Sequence, residues 1–310
     1  MRLAASALGA GVPAGDFAGR IAEVHSRAAL LALAGEKWVT LVAPELGRQP
    51  RGITFHAPAG TSLRTFLAAG AEVAARGAML RAAGGALAID LRGARPWRSG
   101  LDALRLDIDQ PAVAQSYRTA RSALDTDGRS DGLRHAAGAI CERLADATRR
   151  CDVEAAERAM SGLIGLGEGR TPAGDDYLVG YFAALWSCSD VRTGFAAALG
   201  ARLAALATHA GHLSRLYLQA AAEGEVSECI ATVAAGVAAG SDDTVIGHAV
   251  AEALAVGHSS GAAGLLGLLD GCAACAETLP HARAAAALAP ALPACSSLSA
   301  TLRQIAPSST

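Results

Sequence analysis

The spacing of apolar residues changes near residue 106, and this change limits the chain to two parts that are built differently. Residues 15 to about 100 carry short apolar runs closed by Gly or Pro, which is typical of β-strands. From about residue 112, apolar residues recur every three or four positions, which is the period of a helix. The sequence therefore predicts an α+β fold, with a small β-rich N-terminal domain at 1–105 followed by a larger, mostly α-helical domain at 106–310.

Three runs in the first part predict strands. KWVTLVA at 37–43 is β-branched and apolar, GITFHA at 52–57 alternates, and LAIDLRGA at 87–94 follows a pair of glycines. Residues 21–33 fit either a strand or a helix, and one helix is expected around 61–70. The helices predicted in the second part are 112–125, 132–160, 174–188, 192–223, 225–239, 242–256, 260–276 and 279–289.

Composition narrows the partners that the protein can have. The net charge is −2, and no polybasic cluster offers a face to nucleic acid or to an anionic membrane surface. Apolar stretches are interrupted well before the ~20 residues that a transmembrane helix needs. Aromatic residues make up only 4% of the chain, so Ala, Leu and Val must form closely packed helices. We expect a cytoplasmic protein with a small-molecule ligand and with neither nucleic acid nor membrane as a partner.

The seven cysteines do not form a recognisable metal or disulfide pattern. Cys272 and Cys275 form a single Cys-x-x-Cys pair, whereas a zinc site needs a second pair or a pair of histidines at ligand spacing. The number of cysteines is odd, and they lie in Ala-rich helical segments. The sequence therefore predicts free buried thiols in a reducing compartment and no metal site.

The stretch GLGEGRTPAGDDYLVG at 165–180 stands out from its Ala- and Leu-rich surroundings. Glycines at every second position can adopt positive φ and let a ligand approach the backbone; they are Gly165, Gly167 and Gly169. A helix is expected directly afterwards, with Thr171 or Asp175 as its cap and Pro172 in its first turn. Free N–H groups at such a helix start favour an anion, to which Arg170 can add a guanidinium contact.

Two adjacent acidic residues, Asp175 and Asp176, complicate an anion site. The helix dipole stabilises them, but they also repel a bound anion unless Mg²⁺ or a substrate with N–H donors intervenes. Neighbouring side chains on a helix point about 100° apart, so one carboxylate can face the site while the other caps the helix. The alternative interpretation is structural: an acidic helix start after a flexible loop.

Two later segments have the same composition of small and polar residues at a helix start. THAGHLSRLYLQAAAEG at 208–224 places Thr208, His212 and Arg215 on one helical face, with Ser214 beside it. In the turn Gly257–Gly261, His258 can orient a substrate or act as a general acid or base, and Ser259 or Ser260 suits an N-cap.

These segments resemble a bacterial family named after a subunit of oxamate carbamoyltransferase, the enzyme of anaerobic allantoin breakdown. The family signature runs Gly-x-Gly-x-Gly-x-Thr-Pro-Ser-Gly-Asp-Asp, and here Arg170 precedes the Thr-Pro pair and Ala173 replaces the serine. The helix around Ser214, the turn GHSSGAAGLLG and the run LAIDLRGARPW at 87–97 are similar to further family motifs. The likeness extends over nearly the whole chain.

The resemblance implies a multi-subunit enzyme that moves a carbamoyl group between oxalurate and phosphate, giving oxamate and carbamoyl phosphate. It also implies other subunits as partners, and oligomerisation. The residues expected to act in catalysis are Asp175, Asp176 and His258. Those expected to bind the substrate or anion are Gly165, Gly167, Gly169, Arg170, Thr171, Gly174, Ser214, Ser259, Ser260 and Gly261. No cofactor is implied with certainty, although Mg²⁺ fits the acidic pair. The alternatives are a non-catalytic assembly or ligand-sensing subunit and a Mg²⁺-dependent phosphotransfer enzyme.

Overall fold

The computed structural model describes residues 1–35, 37–58, 60–188 and 192–276, which belong to one compact unit. The helix predicted at 279–289 and the seventh cysteine, Cys295, lie outside the described residues. Among the described helices, none is both long and apolar enough to cross a membrane.

The N-terminal part is a β-barrel. Its sheet has the order β5-β4-β3-β2-β6-β7-β8-β1-β9, and a further pairing of β1 with β5 closes it. Strand pairs are antiparallel except for β1/β8, β1/β9 and β4/β5, which are parallel. The strands are Arg2–Gly9 (β1), Phe17–Val24 (β2), Ala28–Leu33 (β3), Lys37–Val42 (β4), Gly52–His56 (β5), Glu72–Arg76 (β6), Met79–Ala82 (β7), Leu87–Asp90 (β8) and Arg95–Trp97 (β9).

The barrel confirms the three strands that the sequence predicts and decides the ambiguous segment. Residues 21–33 belong to two antiparallel strands, β2 and β3, which form a hairpin. The helix expected around 61–70 is wrong, because only a 3₁₀ turn, Leu63–Thr65, forms there. Leu63 and Leu67 instead bury themselves in the barrel core, and the Leu63 amide donates to the Ser26 carbonyl across the barrel.

A bundle of nine helices follows within the described residues, and the α+β class is confirmed. The helices are Pro111–Asp127 (α1), Asp131–Arg149 (α2), Val153–Leu163 (α3), Ala173–Ser187 (α4), Ala197–Leu206 (α5), His212–Ala222 (α6), Glu228–Ala238 (α7), Asp243–Leu254 (α8) and Ser260–Ala276 (α9). The domain boundary at residue 105 remains a prediction.

Two predicted helices are each divided in the structure. The segment 132–160 breaks into α2 and α3 at Cys151, whose φ of 53° is left-handed and cannot continue a right-handed helix. The segment 192–223 breaks into α5 and α6, because Ala210 is extended and Gly211 caps the second helix. Apolar periodicity continues through both breaks, so the pattern alone did not reveal them.

Helices α4 and α9 are the centre of the bundle, and they are apolar on almost every side. Glycine makes their contact possible because it lets two backbones touch. A methyl group added at Gly180 would lie 1.8 Å from the carbonyl oxygen of Gly264, and one at Gly267 would lie 1.9 Å from that of Tyr177. This contact places the starts of α4 and α9 side by side, and both starts contribute to the site described below.

The barrel is held to the helices by a buried carboxylate, Glu225, which follows α6. Its side chain is 5% exposed, and it accepts hydrogen bonds from the Arg98 Nε at 2.7 Å and the Ser99 amide at 2.9 Å. Arg48 adds a second ion pair with Glu228, beside a bond from the Glu228 amide to the Arg48 carbonyl. These contacts connect the segments beside β9 and β5 to the helical bundle.

Replacing Glu225 by alanine is expected to lower the free energy of unfolding by about 1–3 kcal/mol, because the half-buried Ser99 amide loses its acceptor. The midpoint of urea denaturation measures the loss. Glu223→Ala is the matched control: Glu223 is 66% exposed and pairs with Arg51, so its removal should cost at most about 1 kcal/mol. Equal effects of the two substitutions would contradict the role given to Glu225.

Candidate functional site

A cavity of about 300 Å³ lies between the barrel and the helical bundle. Strands β3 and β4 form one wall, and the starts of α4 and α9, together with α6 and α7, form the other. The sequence-predicted residues that line it are Arg170, Thr171, Asp176, Ser260 and Gly261. The glycine-rich loop and the 257–261 turn therefore meet at one place, although almost 90 residues separate them in the chain.

The glycine loop before α4 adopts the backbone conformations that its sequence requires. The φ values of Gly165, Gly167 and Gly169 are 74°, 113° and 96°, which are left-handed or nearby conformations that glycine adopts without strain. A methyl group at Gly167 would lie 2.9 Å from the amide nitrogen of Ala173, the first residue of α4. The loop therefore folds back over the helix start instead of leaving it open.

Three amide groups in the first turn of α4 are already engaged within the chain. The Gly174 amide donates to the Leu166 carbonyl at 2.9 Å, and those of Asp175 and Asp176 donate to the Pro172 carbonyl. The N-cap residue of the helix is Pro172, and no side chain forms a capping hydrogen bond there. The prediction that Thr171 or Asp175 caps the helix is therefore wrong. Thr171 lies one residue earlier and uses its hydroxyl elsewhere.

The Asp175 side chain is hydrogen-bonded to the glycine loop. It is 2% exposed, and its Oδ1 accepts a hydrogen bond from the Gly165 amide at 2.8 Å. Burial raises the pKa of its carboxyl group, while the bond from Gly165 and the nearby Ser214 hydroxyl lower it. Asp175 is not among the residues that line the cavity, so the acidic pair is divided between two directions, as helix geometry allows.

Asp176 is the member of the pair that faces the cavity. Its Oδ2 atom is buried and has no hydrogen-bond partner. Burial raises the pKa of its carboxyl group to about 7, and the nearby hydroxyls of Ser260 and Thr171 oppose this rise. Those two hydroxyls lie 3.1 Å apart and hydrogen-bond to each other, which joins the starts of α4 and α9 beside the carboxyl group. A carboxyl group with this pKa can both give and take a proton near neutral pH.

Arg170 lies at the edge of the cavity with two barrel residues, Glu23 and His25. Its guanidinium is paired with the Glu23 carboxylate and contacts the His25 ring, and all three side chains are about a third to a half exposed. An anion bound by Arg170 must therefore compete with Glu23. Spacing within the motif gave no indication of this pair, because the partner residues lie in a strand almost 150 positions earlier.

The Ser214 side chain is hydrogen-bonded to the glycine loop. It is 1% exposed, and its hydroxyl donates to the Arg170 carbonyl at 3.2 Å. The face expected from Thr208, His212 and Arg215 does not exist, since Thr208 lies in a separate 3₁₀ turn and donates to Ala205. Tyr217, one turn after Ser214, lines the cavity instead, and burial raises the pKa of its phenol.

The turn before α9 contributes backbone and Ser260 to the cavity, while its histidine lies outside. His258 is exposed and is not among the residues lining the cavity; its carbonyl accepts from Arg129 at 3.4 Å. The Ser259 carbonyl accepts the amide of Ala263, so Ser259 occupies the cap position of the helix. Catalytic use of His258 remains a prediction.

Close packing accounts for two of the predicted glycines. A methyl group at Gly174 would lie 2.1 Å from the Leu163 carbonyl oxygen, and one at Gly261 would lie 1.9 Å from the Ala253 carbonyl oxygen. Each glycine therefore lets the start of its helix touch the end of the preceding one. Their direct contact with a ligand remains a prediction.

The barrel wall of the cavity contains polar residues that were not predicted. Thr40, on β4, is 3% exposed and its hydroxyl has no hydrogen-bond partner. Gln49 is 7% exposed and its amide donates to the Leu46 carbonyl. A weak signal existed for Thr40, which is the polar residue inside the apolar run KWVTLVA. Its meaning depends on which face of the strand is covered, and the sequence does not show this.

The described residues give little support for a metal site or for a reactive thiol. Within them, no group of three or more His, Cys, Asp or Glu side chains is arranged to hold a metal ion. The Cys272 and Cys275 thiols are buried in α9 near Cys188, and this environment raises their pKa well above the ordinary value. Protonated thiols are poor nucleophiles and poor metal ligands.

The fold and the cavity define a barrel-and-bundle protein with a partly open cavity of ligand size at the junction. Residues 163–272, about a third of the chain, match the model of a family described as oxamate carbamoyltransferase subunit AllH. The resemblance is thus confirmed for the stretch that holds the glycine loop, the Ser214 helix and the 257–261 turn; the run at 87–97 lies outside the match. Comparisons with curated proteins and with solved structures gave no match.

Proposed function

We propose that this chain is a subunit of a carbamoyltransferase-type enzyme and that its cavity binds the amide or ureido group of the substrate. The observation that carries the proposal is that Asp176 lines a ligand-sized cavity between the barrel and the family-matched segments, and that its buried Oδ2 has no hydrogen-bond partner. A buried acceptor without a donor costs free energy, and the N–H group of an amide would satisfy it.

The protonation state of Asp176 suits carbamoyl transfer. When a phosphate oxygen attacks the carbamoyl carbon, the C–N bond breaks and the leaving nitrogen needs a proton. A carboxyl group with a pKa of about 7 is protonated in a large fraction of molecules near neutral pH and can supply it. In the reverse direction the carboxylate takes the proton back. The phosphate is expected at the edge of the cavity, beside Arg170 and His25.

A second candidate is a ligand-sensing subunit without its own chemistry. It is favoured by the engaged amides at the start of α4, because this turn then offers no oxyanion donors from Gly174, Asp175 or Asp176. Both candidates require ligand binding at Asp176. They differ in whether carbamoyl phosphate forms when the chain and its partner subunits are mixed with a ureide and phosphate.

Asp176→Asn is expected to weaken binding of a ureido compound about tenfold to a hundredfold, because a hydrogen bond to a charged group contributes about 1.5–3 kcal/mol. Thermal-shift titration with oxalurate, oxamate, carbamoyl phosphate and phosphate measures the change. The matched control is Glu168→Gln, the same carboxyl-to-amide exchange at an exposed position of the same loop that is not part of the cavity lining. Unchanged binding in Asp176→Asn would exclude Asp176 from the site.

A further inference from the structure

We propose that the compound bound in the cavity is an uncharged amide or ureide that carries an apolar substituent of about six carbons. The inference rests on the proposed function, since it takes Asp176 as the contact for the N–H group. It adds the chemical class of the rest of the ligand, which we infer from the side chains that line the cavity.

The charges around the cavity disfavour an anionic ligand. Within the described part of the chain, the charged side chains that line it are the carboxyl groups of Glu23 and Asp176 and the guanidinium of Arg170, together with the His25 imidazole. Arg170 is already paired with Glu23. A carboxylate or phosphate placed deep in the cavity would therefore approach Asp176 without an unpaired cation to compensate it.

Apolar side chains from both sides form most of the inner surface. Leu30 and Val42 project from the barrel, while Val179 and Ile230 project from the helices. Leu30 and Val42 are 3% and 2% exposed, yet neither belongs to the barrel core, so their side chains are buried on the outer face that the bundle covers. An apolar substituent would gain free energy on leaving water for this space, whereas a second polar group would find few partners there.

The volume of the cavity indicates how much of a ligand it can hold. At ~30 Å³ for each water-sized group, a cavity of about 300 Å³ holds roughly ten non-hydrogen atoms. A ureido group takes four of them, which leaves about six for the substituent. Thr40 lies on the barrel wall of the same cavity, and its buried hydroxyl has no hydrogen-bond partner.

Calorimetric titration of the full chain with N-alkylureas from methyl to hexyl tests the inference, with oxalurate and oxamate as the anionic comparison. Affinity is expected to rise about fourfold for each added methylene, since each buried CH₂ contributes about 0.8 kcal/mol. Val42→Thr, which keeps the shape but adds a hydroxyl, should reduce this gain. Val245→Thr makes the same exchange at a residue 52% exposed on α8 and should leave the series unchanged.

The outcomes of these titrations distinguish a failure of the apolar substituent from a failure of the proposed function. Binding of oxalurate through Asp176 that is tighter than that of hexylurea would overturn the apolar substituent while retaining the proposed function. Equal affinity for alkylureas of all chain lengths would also overturn the apolar substituent. If neither ureides nor oxalurate bind, or if Asp176→Asn changes none of these affinities, the proposed function fails together with the inference.

Discussion

Replacing Gly267 by alanine is expected to lower the free energy of unfolding by about 3 kcal/mol, because the added methyl would lie 1.9 Å from the Tyr177 carbonyl oxygen. Backbone atoms cannot rotate away, so α4 and α9 must move apart along the most buried contact of the bundle. At roughly 2–4 °C for each kcal/mol in a chain of this size, the melting temperature should fall by about 6–12 °C. Differential scanning calorimetry measures this shift.

Gly247→Ala is the matched control for this effect. Gly247 lies inside α8, and a methyl group added there meets no atom within 4 Å. Alanine has the better helix propensity, so this exchange should stabilise the protein by up to about 1 kcal/mol. A Gly267→Ala variant as stable as the Gly247→Ala variant would show that the two central helices do not depend on glycine contact.

Between pH 4 and pH 7, the free energy of unfolding of Asp176→Asn is expected to rise by about 4 kcal/mol relative to that of the wild type. The native carboxyl group has its pKa raised to about 7, mainly by burial, whereas the unfolded chain releases this proton near pH 4. The stabilising contribution of protonated Asp176 is therefore complete below about pH 4 and is lost as pH rises to 7. Asparagine does not titrate, so the variant should gain stability over the wild type across this range.

Urea denaturation of both proteins at several pH values measures this difference. Taking the difference removes the contributions of other carboxyl groups, including those of Asp127 and Glu228, whose arginine partners lower their pKa values and act in the opposite direction. Glu168→Gln, the same carboxyl-to-amide exchange at an exposed position of the same loop, is the control substitution. A constant difference for Asp176→Asn would contradict the raised pKa of its buried carboxyl group.

Much of the fold could be predicted from short-range patterns. The change of period near residue 106 separates barrel from bundle, and the run KWVTLVA is a strand as expected. The failures occur where tertiary contacts override a local pattern. The segment around 61–70 reads as a helix because of its leucines, but Leu63 and Leu67 turn into the barrel core. Cys151 breaks a helix whose apolar period is uninterrupted.

The candidate site shows the same division between local and distant information. The glycine spacing correctly indicated a loop with positive φ before a helix, and the helix period allowed two directions for Asp175 and Asp176. The engagement of the Gly174 amide could not be predicted, because it depends on how the loop closes on Leu166.

The sequence by itself determined the class of fold, the positions of most helices and the loop whose glycines permit left-handed backbone. These follow from periods and conformational preferences that act over a few residues. Only the tertiary structure decided that Asp176 rather than Asp175 faces the cavity, that Arg170 is paired with Glu23, and that Thr40 completes the opposite wall. Such contacts join residues more than a hundred positions apart, and burial, which sets the charge state of Asp176, exists only once the barrel covers the helices.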